Sequence, residues 1–116
     1  MPHPLEDLPT EWVTPSIIRE MFNAGQYWQR ARRGDLVSVV QDSRHPDPPP
    51  RGEPFCTQSE MVLYCTREMR PVALVHQYRR QDGTLGASGQ PDPKWLALED
   101  RVVKVARKSR AKPPQP

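Results

Sequence analysis

His76, Tyr78 and Arg80 occupy alternate positions in VHQYRR, a stretch rich in β-forming residues. Alternate residues of a β-strand point to one side of the sheet, so an imidazole, a phenol and a guanidinium would share one face. A metal-independent ribonuclease needs a general acid or base that titrates near neutral pH and a cation that stabilises the phosphorane charge. His76 is therefore a candidate catalytic base, and Tyr78 and Arg80 would contact the same phosphate of the RNA.

The strand that carries His76 has a second interpretation. Val72 and Leu74 precede the histidine on the same face, which can equally be the buried side of an ordinary strand. A single polar residue on such a face needs only one hydrogen-bond partner. We expect this structural role for His76, because no second acid or base can be placed beside it and His45 lies in a loop.

The segment upstream of this strand has the pattern of an amphipathic helix. Thr14 can accept a hydrogen bond from a free helix N–H, and Pro15 suits the first helical position. Apolar residues then recur at three- and four-residue spacing as far as Ala31, and Gly34 can end the helix in the left-handed conformation. Gly25 interrupts the pattern at a cost of about 1 kcal/mol relative to alanine, so a break there is allowed.

Strands are predicted downstream of the helix. Composition favours a strand over residues 36–40, a hairpin that includes VHQYRR, and a last strand around Val102–Val105, where a helix is the alternative. The predicted fold is α+β, with the N-terminal helix packed on a three- or four-stranded antiparallel sheet. We expect one domain over residues 13–106, a flexible N-terminus at 1–12 and a disordered basic tail at 107–116.

Basic residues gather at the ends of the predicted elements and in the tail. The chain has 17 Lys and Arg against 14 Asp and Glu, a net charge of +3. Cations that neutralise phosphates give salt-sensitive binding of nucleic acid, and exposed Trp28, Tyr78 or Trp95 could stack on unpaired bases. The candidate nucleic-acid-binding residues are Arg30, Arg32, Arg33, Arg79, Arg80, Arg101, Lys104, Arg107 and Lys108. The alternative is that these residues are only the solvated ends of helices and strands and a tail that keeps the protein soluble.

Residues 41–58 contain five prolines and are predicted to be a long loop, because proline cannot donate to a sheet ladder. A loop of this length is either functional or flexible. Pro48, Pro49 and Pro50 could also be presented to a protein partner, since such runs favour a preformed extended conformation.

Metal and cofactor sites are not predicted. His3, His45, His76, Cys56 and Cys65 show none of the spacings of zinc sites, and the glycines of GTLGASG do not match a nucleotide-binding loop. The two cysteines make no disulfide framework, and no apolar run approaches the roughly 20 residues of a membrane span. We expect a cytoplasmic protein without membrane contact.

The segment HQYRRQDGTLGASGQPDPKWL resembles a C-terminal segment of uncharacterised small bacterial or phage-borne proteins. The resemblance covers about a fifth of the chain and rests on its histidine-glutamine-tyrosine start, its aspartate-glycine turn and its proline-aspartate-proline-lysine run. Arg80 stands where that pattern has proline. The resemblance implies no activity, substrate or cofactor.

The sequence thus favours a small basic accessory or interaction protein that contacts nucleic acid or a nucleic-acid-processing enzyme. One alternative is a metal-independent ribonuclease toxin that uses His76. The other is an adaptor that presents its proline-rich segment to a protein partner. An enzyme is the less expected outcome, because the catalytic hypothesis depends on a single histidine.

Overall fold

The computed structural model describes residues 4–106. After a 3₁₀ turn at Leu5–Asp7, the elements are β1 (Thr10–Val13), α1 (Pro15–Ala24), α2 (Tyr27–Arg32), β2 (Val37–Arg44), β3 (Gln58–Cys65), β4 (Pro71–Arg79), β5 (Asp92–Ala97) and β6 (Val102–Val105). The strands form a single sheet in the order β1-β6-β5-β4-β3-β2. The α+β class is confirmed. The expected three- or four-stranded antiparallel sheet is wrong, because the sheet has six strands and the β1–β6 pair is parallel.

Two strands were not predicted, and each has a physical reason. β1 is only four residues long and pairs with β6 from Thr10 opposite Val102 to Val13 opposite Val105, so part of the expected flexible N-terminus is a strand. β5 contains Pro93, which disfavours a strand in the sequence. Pro93 is accommodated next to a register shift between β4 and β5, a position at which a sheet tolerates a missing N–H.

The helical segment begins as the sequence predicts and is broken near its middle. The Oγ1 of Thr14 accepts a hydrogen bond from the N–H of Ile17 at 3.3 Å, and Pro15 is the first helical residue. The break lies at Gln26, which adopts the left-handed conformation with φ of 53°. Gly25 is required beside it, since a Cβ at this position would lie 2.5 Å from the Tyr27 ring.

The two helices pack on one side of the sheet, here called the helix face, and form the core with it. Ile18 and Phe22 of α1 are buried against strand residues that are also buried. Those strand residues are Val62, Tyr64, Ala73, Val75, Leu96 and Val103. Phe22 stacks on Tyr27 with 5.5 Å between the ring centroids, which ties α1 to the start of α2.

The buried side of β4 is the one that carries Ala73 and Val75, which are fully buried. Leu74, His76 and Tyr78 point to the opposite side of the sheet, here called the open face, and are half-buried. The interpretation of Leu74 and His76 as the buried side of the strand was therefore wrong. Both faces of β4 carry apolar residues, so alternation alone did not show which face meets the helices.

β2 and the proline-rich segment also differ from expectation. β2 extends from Val37 to Arg44, so the first four residues of the predicted loop 41–58 belong to a strand, and a register shift lies between Val40 and Asp42. No helix within residues 4–106 has both the length and the apolar composition needed to cross a membrane.

Candidate functional site

His76 lies on the open face, held by its neighbours. Its Nε2 is 2.8 Å from the Oγ of Ser59 on β3, and its ring meets the ring of Tyr78 edge to face with 4.7 Å between the centroids. Partial burial lowers the pKa of His76, the positive charge of Lys94 lowers it further, and the negative charge of Asp92 acts in the opposite direction. Burial therefore favours the neutral imidazole, and one of its ring nitrogens is already bonded to Ser59.

Arg80 does not join this pair as a free cation. Its Nε and Nη2 are 2.9 and 3.2 Å from the two carboxylate oxygens of Glu53, which also accepts a hydrogen bond from the backbone N–H of Ala87 at 3.0 Å. A Cβ on Gly86 would lie 2.5 Å from the Glu53 carboxylate, so a larger residue there would displace the carboxylate. We call this arrangement of Glu53, Arg80, Gly86 and Ala87 the Glu53 clasp.

The clasp joins the proline-rich segment to the loop between β4 and β5. The side chain of Glu53 is only 6 % exposed although it is charged, and the hydrogen bonds from Arg80 and Ala87 hold the pKa of its carboxyl below the ordinary value. Sequence reasoning missed Glu53, because it is an isolated acid in a polar loop with no pattern around it.

The structure places His76 and Tyr78 together but pairs Arg80 with a carboxylate. His76 and Tyr78 line a cleft of about 690 Å³ beside residues 86–88. The charge expected to stabilise a phosphorane is instead neutralised within the Glu53 clasp. Beside the imidazole and the phenol, the cleft is also lined by Arg19 and Lys94, which lie 3.5 and 2.9 Å from the carboxylate of Asp92.

We expect His76→Gln to reduce stability mainly above pH 6.5. A histidine whose pKa is lowered in the folded state contributes stability above its unfolded pKa, near 6.5, and loses that contribution as the pH falls through this value. Urea unfolding at pH 7.5 and 5.5 measures the difference. The free energy of unfolding of the wild type should fall between these values more than that of His76→Gln, with His45→Gln as the control. An equal fall in wild type and His76→Gln would contradict this assignment.

The predicted nucleic-acid-binding residues do not form one surface, and several are paired with acids. Arg33 bonds Asp35 at 2.9 Å, Arg79 bonds Glu60 at 3.0 Å, and Arg101 bonds both Glu11 and Asp100. Arg80 is held in the Glu53 clasp, as described above. Arg107 and Lys108 lie outside the described residues, as does the rest of the predicted basic tail.

Three of the predicted cations have no carboxylate partner within residues 4–106, and each lies over an aromatic ring. Arg32 is 5.0 Å from the Trp28 ring centroid, Arg30 is 5.3 Å from that of Tyr27, and Lys104 is 5.9 Å from that of Trp12. Such contacts keep the cation over an apolar surface while its charge stays accessible.

One of these pairs, Trp28 with Arg32, borders a groove of about 630 Å³ on the helix face. α2, which has only six residues, lines one side of this groove, and β2, β3 and β4 line the other. It is lined by Trp28, Ala31, Arg32, Ser38, Val40, Glu60, Val62, Tyr64, Gln77, Arg79 and residues of the β4–β5 loop. We call it the α2 groove.

A buried carboxylate lies in the α2 groove. Glu60 is 3 % exposed, and its oxygens accept hydrogen bonds from the Nε2 of Gln77 at 3.1 Å and the Nε of Arg79 at 3.0 Å. Sequence reasoning missed this residue. The sequence feature that could have revealed its burial is its position two residues before Val62 and four before Tyr64, on the buried face of the same strand.

The proline-rich segment does not run as one extended stretch. Pro48 is exposed, Pro49 and Pro50 are half-buried, and the chain bends at Asp47 and Pro48. The N–H of Glu53 then bonds the carbonyl of Pro50 at 2.9 Å, which closes a turn. The residues proposed for partner binding therefore stand in a bent segment that the Glu53 clasp anchors.

Comparisons with protein-family models, with curated proteins and with solved structures find no match for this chain. Within residues 4–106, no group of three His, Cys, Asp or Glu side chains could hold a metal ion. The function of the protein therefore has to be inferred from its own residues.

Proposed function

We propose that the protein is a small cytoplasmic accessory protein that binds single-stranded nucleic acid and takes an unpaired nucleotide into the α2 groove. The observation that carries this proposal is the meeting of Trp28, Arg32 and Arg79 around one groove. Such side chains bind single-stranded nucleic acid elsewhere. An aromatic ring stacks on the base, and guanidinium groups contact the phosphate.

The groove residues have separate roles in this proposal. The base stacks against Trp28, whose ring Arg32 already approaches at 5.0 Å, and Arg32 meets the phosphate from the exposed rim. Arg79 uses only its Nε on Glu60 within the described part of the chain. Its terminal nitrogens are left to donate to a phosphate or a base edge, since a guanidinium carries five N–H donors.

The α2 groove has a net positive charge, which favours an anionic ligand. The charge of Arg79 is balanced by Glu60, and Arg32 has no carboxylate partner within residues 4–106. Glu60 fixes the direction of the Arg79 guanidinium, so this group need not be ordered when the ligand binds. The apolar floor of Val62 and Tyr64 is suited to the face of a base.

The ribonuclease hypothesis remains the alternative, and the position of His76 in a cleft that Arg19 and Lys94 also line is the observation in its favour. It has less support than binding, because the guanidinium of Arg80 is already paired with Glu53. Metal-free RNA cleavage by the purified protein, lost in a folded His76→Gln variant, would establish this alternative. The adaptor hypothesis has the least support, since the segment of Pro48 to Pro50 is bent rather than extended.

The binding proposal predicts that Trp28→Ala weakens the affinity for a labelled single-stranded RNA or DNA in fluorescence anisotropy. Loss of one base–aromatic stack is worth about 1–3 kcal/mol, or roughly five- to 150-fold in Kd. Arg32→Ala should weaken binding and reduce the slope of log Kd against log salt by about one, because one fewer counterion is released. Arg101→Ala is the matched control, as it removes the same charge near the β1–β6 edge of the sheet.

Removal of residues 107–116 separates the groove from the basic tail. The truncated protein should show a flatter salt dependence but the same relative loss on Trp28→Ala. The groove is the wrong site if Trp28→Ala and Arg32→Ala bind as tightly as Arg101→Ala. Nucleic-acid binding itself is the wrong function if the wild type shows no binding at low salt.

A further inference from the structure

Within residues 4–106, the helices pack on one side of the sheet only. The molecule measures 48 × 43 × 23 Å, and its smallest dimension corresponds to one sheet with one layer of helices, which pack about 10 Å apart. The strands of a sheet covered on one side usually alternate apolar residues inward with polar residues outward. β3 and β4 do not follow this pattern.

The open face carries a patch of apolar side chains that lies outside the core. Each of these residues is half-buried, and none belongs to the buried cluster formed with the helices or packs against it. They are Val37, Val39, Met61, Leu63, Leu74 and Trp95. The register brings Val39 opposite Leu63, Leu63 opposite Leu74 and Leu74 opposite Trp95, so the patch is continuous across four strands.

The charged side chains around this patch have both signs within residues 4–106. Asp92, opposite His76, bonds Lys94 at 2.9 Å. Asp42 pairs with Arg44 at 2.9 Å on the β2 side, and Lys104 lies over Trp12 on the β6 side. A face that binds nucleic acid or an anionic membrane surface needs an excess of cations around its apolar residues. A nearly neutral face with an apolar centre can pack against its own copy without like-charge repulsion.

The size of the patch fits a reversible association. Four strands about 4.8 Å apart and five residues about 3.4 Å apart give roughly 320 Å² of projected area per protomer. This area is less than half of the roughly 800 Å² per partner that a stable interface buries, so it supports only a weak, transient contact. Residues 5–8 adjoin the patch beside Trp95 and Val102 and would enlarge the contact.

We propose that the open face is the interface of a two-fold dimer in which the sheets of two copies stack. Leu63 and Leu74 of each protomer lie at the centre of this contact, and Asp42, Arg44 and Lys104 lie at its rim. A stack of two sheets buries the apolar residues that one helix layer leaves uncovered. The α2 grooves then face outward on opposite sides of the dimer, so the interface does not depend on what they bind.

Sedimentation velocity from about 1 to about 500 µM tests the dimer, a range chosen because small interfaces give micromolar affinities. The weight-average mass of the wild type should rise from monomer to dimer with concentration, and Leu63→Lys should remain a monomer. Ile17→Lys is the matched control, because it adds the same charge at a half-exposed apolar residue of α1. Far-UV circular dichroism checks folding, and Leu74→Lys is the second variant should Leu63→Lys unfold.

The dimer proposal is wrong if the wild type is monomeric at every concentration, or if both open-face variants fold and associate like Ile17→Lys. Vesicles of phosphatidylserine test a different occupant of the same face. A monomeric wild type that binds these vesicles, with binding lost in Leu63→Lys, would assign the face to a membrane surface and overturn the dimer.

Discussion

Leu96→Ala is expected to lower the free energy of unfolding by about 2–5 kcal/mol, the range measured when a buried leucine leaves a cavity. Leu96 is 0 % exposed and packs in the cluster formed by the helices and the sheet. Leu74→Ala removes the same atoms from the open face and should cost less than about 1.5 kcal/mol in the monomer, since its site is already half-open.

Urea denaturation of both variants at low protein concentration measures this difference, because a dimer through the open face would add stability to the wild type. Val75→Ala, on the helix face of the same strand as Leu74, should cost somewhat less than Leu96→Ala, because it removes fewer buried carbon atoms. If Leu74→Ala and Leu96→Ala lower the free energy of unfolding equally, the open face is covered within one chain. The assignment of the two faces would then be wrong.

Gly86→Ala is expected to destabilise the protein by about 1–3 kcal/mol, as overpacking does. The added methyl group would lie 2.5 Å from the Glu53 carboxylate, which cannot move away without breaking its hydrogen bonds to Arg80 and Ala87. Glu53→Ala removes the obstacle. In a double-mutant cycle, Gly86→Ala should therefore cost less in the Glu53→Ala background than in the wild type. Equal costs in both backgrounds would show that the clasp does not restrict residue 86.

The Glu53 clasp should also be sensitive to acid. A carboxyl whose pKa is lowered in the folded state contributes stability above its unfolded pKa, and this contribution is lost as the pH falls through the lowered folded value. The stability difference between wild type and Glu53→Gln should thus be constant above about pH 5 and shrink below about pH 4.5. Glu68→Gln, on the exposed turn between β3 and β4, is the control.

Much of the local structure could be predicted because its causes are local. Thr14 and Pro15 define a helix start through hydrogen bonding and a fixed φ angle, and the β3–β4 hairpin follows from composition and a short turn. β1 and β5 could not be predicted in the same way. β1 depends on β6 at the other end of the chain, and β5 depends on a register shift that accommodates Pro93.

The candidate site was predictable only in part. Sequence reasoning named Trp28, Arg32 and Arg79, but it did not place them around one groove. The groove lies between α2 and the strands β2, β3 and β4, which are distant in sequence, so its lining depends on tertiary packing. Glu60 escaped notice because its partners Gln77 and Arg79 are on another strand, and the pairing depends on the register of the hairpin.

The parallel pairing of β1 with β6 constrains the order of folding. The contacts between β1 and β6 join residues 90 or more positions apart, as Glu11 and Arg101 are, so this pairing closes a very long loop of the chain. The entropic cost of closing this loop is lower once β3, β4, β5 and β6 have assembled through their shorter connections. β1 is then the last strand to dock and, as an edge strand of four residues, the first to detach in local opening of the native state.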